Sequence, residues 1–234
     1  GDEAALLSQL SAGGIDGIAL TSLTLGSRLP RALRERGLPG VLLNRETDRP
    51  DLDVCVSDNV AGSRLAAERL LELGHRRIGA VFGPADTSTG RDRALGFREA
   101  LAEAGVVLHP DACREVPYTH ESGHGALLEI LDSPHRPTAV FCANDVLAIG
   151  ALNAAKRRGI SLPEDLTVIG YDDMEMSAWE VFDLTTVRQG TEAMAVTAAE
   201  LLLRRMEDPG AEVRRVVVPP ELVLRSTDGP PPVG

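Results

Sequence analysis

The stretch Thr138-Ala139-Val140-Phe141-Cys142-Ala143-Asn144-Asp145-Val146-Leu147-Ala148-Ile149-Gly150-Ala151-Leu152 decides the fold. Its apolar run, Ala139 to Ala143, has the length and composition of a strand buried on both faces. Asn144-Asp145 ends the run. Val146, Ile149, Gly150, Asn153 and Ala154 then follow at helical spacing. A buried strand that feeds a helix through a two-residue polar turn is half of a βαβ unit. Ligands of open α/β sheets bind outside the carboxyl ends of the strands, which is where Asn144 and Asp145 fall. The same residues also suit a helix N-cap, and the two roles are compatible.

Outward from this stretch the alternation continues. Ile15–Leu20, Val41–Leu43, Val54–Val56, Arg77–Phe82, Cys113–Val116 and Thr167–Tyr171 read as strands. Helical patterns cover 2–12, 28–36, 60–73, 92–104, 120–131, 146–158, 174–180 and 191–207, and 213–224 is mostly extended. Asp58 stands as an N-cap before the 60–73 helix and Gly74 as its stop. Repeated alternation of this kind predicts an α/β protein with parallel sheets covered by helices on both faces.

The 234 residues suit one large domain or two small ones. Hydrophobic residues make up 43% of the chain but aromatics only 3%, so Leu, Val, Ile and Ala must fill the core. A net charge of −11 argues against nucleic-acid binding by this segment, because phosphate contacts need clustered Lys and Arg. The three cysteines, Cys55, Cys113 and Cys142, have no disulfide or metal-binding spacing, which fits a reducing cytoplasm. No run approaches the length of a membrane span. Gly1-Asp2-Glu3 is not a natural start, so further sequence is expected upstream.

The chain resembles the effector-binding core of LacI/GalR-family bacterial transcription regulators. The residues that carry the likeness cover nearly the whole chain in order. They are Leu73-Gly74-His75-Arg76-Arg77-Ile78, Gly83-Pro84, Arg91 with Arg93 and Gly96-Phe97, Pro137-Thr138-Ala139 through Ala143-Asn144-Asp145, Ile169-Gly170-Tyr171-Asp172-Asp173, Leu184-Thr185-Thr186-Val187-Arg188-Gln189, and Leu222-Val223 with Arg225-Ser226-Thr227. The resemblance implies two doubly wound parallel-sheet subdomains of the periplasmic-binding-protein type, joined by three crossovers. Mapped here, the N-subdomain is 1–58 plus 190–218 and the C-subdomain 59–189 plus 219–234. The crossovers fall near Asp58-Asn59, Arg188–Gly190 and Pro219-Pro220. The family's helix-turn-helix is absent from this sequence, and so is the first strand of its N-subdomain, which is therefore expected to be incomplete.

The resemblance also implies a small-molecule effector, a carbohydrate with a purine as the alternative, and a homodimer that meets operator DNA through the missing N-terminal module. The implied ligand-binding residues are Arg93, Asp172, Asn144, Tyr118, Asn44, Gln189 and Thr89. The arginine fork and the carboxylate suit paired hydroxyls, and Tyr118 suits stacking on a ring. Thr87, Ser88 and Thr89 read as a polar loop. Asn44 stands where the family has an aspartate. Phe182-Asp183 replace the usual Pro-Pro before Leu184. Trp179 reads equally as core or as interface anchor.

Two other functions stay open in the sequence. A solute-binding protein for transport would share this fold but would carry a signal peptide upstream. His120-Glu121-Ser122-Gly123-His124 matches the H-E-x-x-H zinc hydrolase pattern, but Gly123 interrupts it and Pro117 places it at a helix start. Asp172 and Asp173 are expected on opposite faces of a strand, which disfavours joint acid/base work. No cofactor motif, metal site or catalytic residue is expected.

Overall fold

The computed structural model describes residues 14–232. The helix expected at 2–12 lies outside them. By its internal contacts the chain divides into two compact units. The smaller holds the described residues up to Ser57, Asp86–Ser88 and Gly190–Val218; the larger holds Asp58–Ala85, Thr89–Gln189 and the chain from Pro219 on.

The smaller unit contains β1 (Ile18–Leu20), α1 (Leu29–Glu35), β2 (Gly40–Leu43), β3 (Asp53–Ser57), α6 (Thr191–Glu207) and β9 (Arg215–Val218). Its sheet has the order β1-β2-β3-β9, with every pair parallel. Side chains alternate across it as strand geometry demands. Leu42, Val54 and Val56 pack with Leu29 and Leu33 of α1, whereas Val41 and Cys55 pack with Met194, Ala198 and Leu201 of α6. The fully buried Asp53 is held by Arg205 at 2.9 Å and by the Arg214 N–H at 2.7 Å.

The larger unit follows the same plan. It contains α2 (Asn59–Glu72), β4 (Ile78–Phe82), α3 (Ser88–Glu103), β5 (Cys113–Glu115), α4 (His120–Leu131), β6 (Ala139–Cys142), α5 (Asp145–Arg157) and β7 (Thr167–Ile169). Ser88, the first residue of α3, counts with the smaller unit. The parallel sheet has the order β5-β4-β6-β7. Phe82, Phe141 and Ile169 face Ala66, Leu70, Phe97 and Leu101 of α2 and α3, while Val81, Val140, Cys142 and Val168 face Leu127, Ile130, Leu147 and Ala151 of α4 and α5. Phe97 stacks on Phe141 at 4.5 Å, so most of the scarce aromatic content is spent on one core face. β8 (Thr186–Arg188) pairs antiparallel with β10 (Glu221–Val223) and continues beside the end of β7 through a bridge between Asp172 and Arg188.

Local signals set the element ends. Asp58 accepts the Ala61 N–H at 2.9 Å and caps α2, and Gly74 at φ +95 ends it in a conformation that side chains resist. One boundary differs from the sequence reading. α3 begins at Ser88, not near 92, because the hydroxyl cluster forms its first turn; the Ser88 hydroxyl accepts the Glu46 N–H at 3.0 Å. Trp179 is 49% exposed, which removes the core reading for this chain.

Candidate functional site

In the larger unit the chain passes from β4 to β5 on one side and then returns across β4 to β6. The strand order reverses between β4 and β6, and such a switch point is where open α/β sheets bind ligands. The carboxyl ends of these two strands and of β7 carry the polar cluster.

Arg93 is its centre. The side chain comes from α3 and is almost fully buried, at 2% exposure. Its Nε donates to Asn59 Oδ1 at 2.8 Å, its Nη1 to the Ala143 carbonyl at 2.6 Å, and its Nη2 to Gln189 Oε1 at 3.3 Å. Asp172 Oδ1 lies 3.0 Å from Nη1. The guanidinium is stacked over Tyr171, 3.7 Å from the ring centroid. Burial works against the charge, but the Asp172 carboxylate and the electron-rich Tyr171 and Tyr118 outweigh it and hold Arg93 above its ordinary range. Gln189 closes the ring by donating from Nε2 to Asp172 Oδ1 at 3.2 Å.

Arg93, Asp172 and Gln189, which the sequence placed far apart, are therefore one hydrogen-bonded group. Asn59 and Tyr171 complete it, and neither was foreseen. The available signal for Asn59 was a second polar residue directly after the cap Asp58, where one is enough. Asp172 and Asp173 lie beyond the end of β7 with positive φ of 121 and 56. They divide their partners, since Asp173 pairs with Arg188 at 2.7 Å and with Arg225 at 2.6 Å. The separation expected from strand alternation is present, but it arises from the turn.

Asn144 sits beside this group and is the α5 N-cap, accepting the Leu147 N–H at 2.9 Å. Its Oδ1 is thus engaged. Asp145 is engaged within the fold. It is fully buried and accepts from the Met174 N–H, the Ser177 hydroxyl and the Thr186 hydroxyl, which ties α5 to the turn after β7 and to β8. Burial pushes its carboxyl up, against those three bonds.

Tyr118 lies against Gly83 at the end of β4 and within electrostatic reach of Arg93. Its hydroxyl is out of water and has no hydrogen-bond partner among the described residues. Thr89 is in the first turn of α3, 3% exposed, and not in a loop. Asn44 belongs to the smaller unit, where it ends β2 in a left-handed conformation at φ 69 with a buried Oδ1 that lacks a partner. A cavity of about 370 Å³ in the smaller unit, lined by Arg34, Leu52, Arg205 and Pro209 among others, carries none of these residues.

The H-E-x-x-H pattern does not assemble. His120 Nε2 is 2.8 Å from Asn153 Nδ2, His124 Nε2 is buried without a partner, and no third donor joins them among the described residues. Gly123 is explained by packing, since a Cβ there would meet the Leu147 carbonyl oxygen of α5 at 2.2 Å. Cys55 and Cys142 are fully buried, and burial pushes both thiols up, as it does that of the partly buried Cys113. No helix among the described residues is long and apolar enough to cross a membrane.

A family model described as a periplasmic binding protein-like domain matches residues 67–227. The HTH-type transcriptional repressor PurR of Aliivibrio salmonicida (strain LFI1238) is 34% identical over 214 residues, covering 91% of this chain and 64% of that protein. The chain thus spans about two thirds of the length of the curated repressors it matches. Among solved structures, the transcriptional regulator CelR–cellobiose complex superposes with a TM-score of 0.91 at 34% identity, over 97% of this chain and 70% of that one. A LacI family regulator from Enterococcus faecium with bound ribose gives 0.86 at 29%, over 98% and 85%. With its two parallel sheets and the polar cluster at the strand ends, the chain belongs to the periplasmic binding protein-like family, as an effector-binding core of the LacI/GalR type.

Proposed function

We propose that this chain is the effector-sensing part of a transcription regulator and that its effector is a neutral, hydroxyl-rich carbohydrate. One observation carries the choice of ligand. The Arg93 charge is already balanced by Asp172 at 3.0 Å, so the site has no surplus positive charge for a phosphate or carboxylate. What it presents instead is a dense set of paired donors and acceptors, which suits vicinal hydroxyls. Within the larger unit the Tyr118 hydroxyl has no hydrogen-bond partner among the described residues. The cellobiose and ribose complexes of the structural neighbours support this reading.

Arg93, Asp172 and Gln189 bind ligand hydroxyls, Tyr118 packs on the ring, and Asn144 and Thr89 add contacts. We take 1–58 with 190–218 and 59–189 with 219–234 as the two halves of the sensor. The protein works in the cytoplasm as a homodimer and catalyses nothing. Operator DNA is read by a module outside this chain. The effector acts by binding one state of the protein more tightly than another, since equal affinity would shift nothing.

The test is a thermal-melt titration of this chain with cellobiose, ribose, glucose 6-phosphate and hypoxanthine. A rise in melting temperature with a neutral sugar, lost in Asp172→Asn, is the expected result. A rise with only the phosphate or only the purine would reject the carbohydrate assignment.

A further inference from the structure

A second cluster lies at the opposite, amino-terminal edge of the larger unit's sheet. His109 and Asp111 precede β5, and His135 precedes β6. These two strands flank β4, and its Gly79 lets their approaches converge. A Cβ on Gly79 would meet the Ala112 carbonyl oxygen at 2.9 Å and Pro137 at 3.1 Å. The His109 and His135 rings consequently stack face to face, with centroids 3.3 Å apart and planes within 16°. Both Nδ1 atoms face the same carboxylate oxygen, Asp111 Oδ2, at 3.6 Å from His109 and 3.4 Å from His135. This is the only group of three potential metal donors among the described residues.

We propose that His109, Asp111 and His135 form a binding site for a divalent transition-metal ion, with zinc the best match. In a tetrahedral site with bonds of about 2.0–2.1 Å, neighbouring ligand atoms sit roughly 3.3 Å apart. The two nitrogen–oxygen separations are close to that spacing, but the stacked rings lie in nearly parallel planes, so seating an ion requires both half-exposed rings to turn until their Nδ1 lone pairs converge on it. The two imidazoles are borderline ligands that suit zinc, nickel, copper or cobalt better than calcium or magnesium, and zinc also accepts a carboxylate. The backbone is prepared for it, because Pro110 follows His109 and Pro134 precedes His135, which restricts both segments. The only competing bond is long: the Asp111 N–H reaches His109 Nδ1 at 3.4 Å. The three side chains are 39%, 52% and 47% exposed in chain order, so the remaining coordination positions open to water. A bound ion fastens the approach to β5 onto the approach to β6. The site uses none of the residues assigned to the effector.

The experiment is isothermal titration of the tag-free chain with zinc chloride, near neutral pH, for the unaltered protein and for His109→Ala, His135→Ala and His124→Ala. The expected result is one zinc per chain. Affinity should fall roughly ten-fold or more in each of the first two variants, since each removes a direct ligand, and should be unchanged in His124→Ala. His109 and His135 are half-exposed, so their variants are expected to melt as the parent does without metal. Absence of binding, or binding that persists in His109→Ala and His135→Ala, or binding lost in His124→Ala, would overturn the assignment.

Discussion

At the scale of single residues, two buried groups allow sharp expectations. Arg93 satisfies Asn59, Ala143, Gln189 and Asp172 at once. A lysine keeps the charge but has a single nitrogen, so it cannot reach all four. Arg93→Lys should therefore leave buried acceptors unmet and cost about 2–3 kcal/mol of stability, as read by urea unfolding at neutral pH. A loss below about 0.5 kcal/mol would show that the cluster relaxes around the smaller head. His75 is fully buried between Gly229 O at 2.8 Å and Thr138 Oγ1 at 2.9 Å. Burial holds its pKa below the ordinary 6.5, even though the Gly229 carbonyl and Asp228 oppose this. The folded state thus resists protonation more than the unfolded chain does. The stability that follows is fully present above pH 6.5 and is lost as pH falls through 6.5 toward the folded value. Unfolding free energies at pH 7.5 and 5.5 should therefore drop more for the parent than for His75→Gln, and equal drops would exclude His75 as a cause.

At the scale of elements, the contact between α4 and α5 rests on missing side chains. A Cβ at Gly123 would lie 2.2 Å from the Leu147 carbonyl oxygen, and one at Gly150 would lie 2.2 Å from the His120 carbonyl oxygen. Both obstacles are backbone, so they cannot swing aside. Gly125 is on the same helix but faces open space. Gly123→Ala should lower stability by about 1–3 kcal/mol through overpacking, whereas Gly125→Ala should be neutral or stabilise by up to about 1 kcal/mol through helix propensity. Calorimetric melting of both variants checks the pair. If both behave alike, close packing of these helices is not what Gly123 serves. The same pair shows where sequence reading stopped. Gly123 was visible as an interruption of H-E-x-x-H, but the facing Leu147 backbone was not, because helix-to-helix distance is a long-range quantity. Local signals, by contrast, were legible: Asp58 as a cap, the Asn144-Asp145 pair as holding one, Gly74 as a stop, and the apolar strands β4 and β6.

At the scale of the whole molecule, alternation of strands and helices was sufficient to specify covered parallel sheets, because a strand apolar on both faces requires helices above and below; that there are two came from the family motifs. The site was legible only in part. Family motifs picked out Arg93, Asp172 and Gln189, but their convergence depends on β6 and β7 lying side by side, which one-dimensional spacing does not encode. Asp145 shows the opposite failure. A polar residue at a strand end reads as ligand-facing, yet its carboxylate is consumed by Met174, Ser177 and Thr186. Charge is the one whole-chain property that needed no fold. At −11 the chain repels a phosphate backbone, and its arginines are largely engaged by carboxylates, as in Arg64–Glu103, Arg158–Asp132 and Arg215–Glu46. Counterion release, which drives non-specific DNA affinity, needs clustered unpaired cations, and this net charge and pairing work against it. Fluorescence anisotropy of labelled duplex DNA should therefore show no binding by this chain at about 50 mM salt, where electrostatic contacts are strongest. Binding that weakens steeply between about 50 and 200 mM salt would show that this chain itself carries a DNA-contacting surface, and DNA reading could then no longer be assigned wholly to a module outside it.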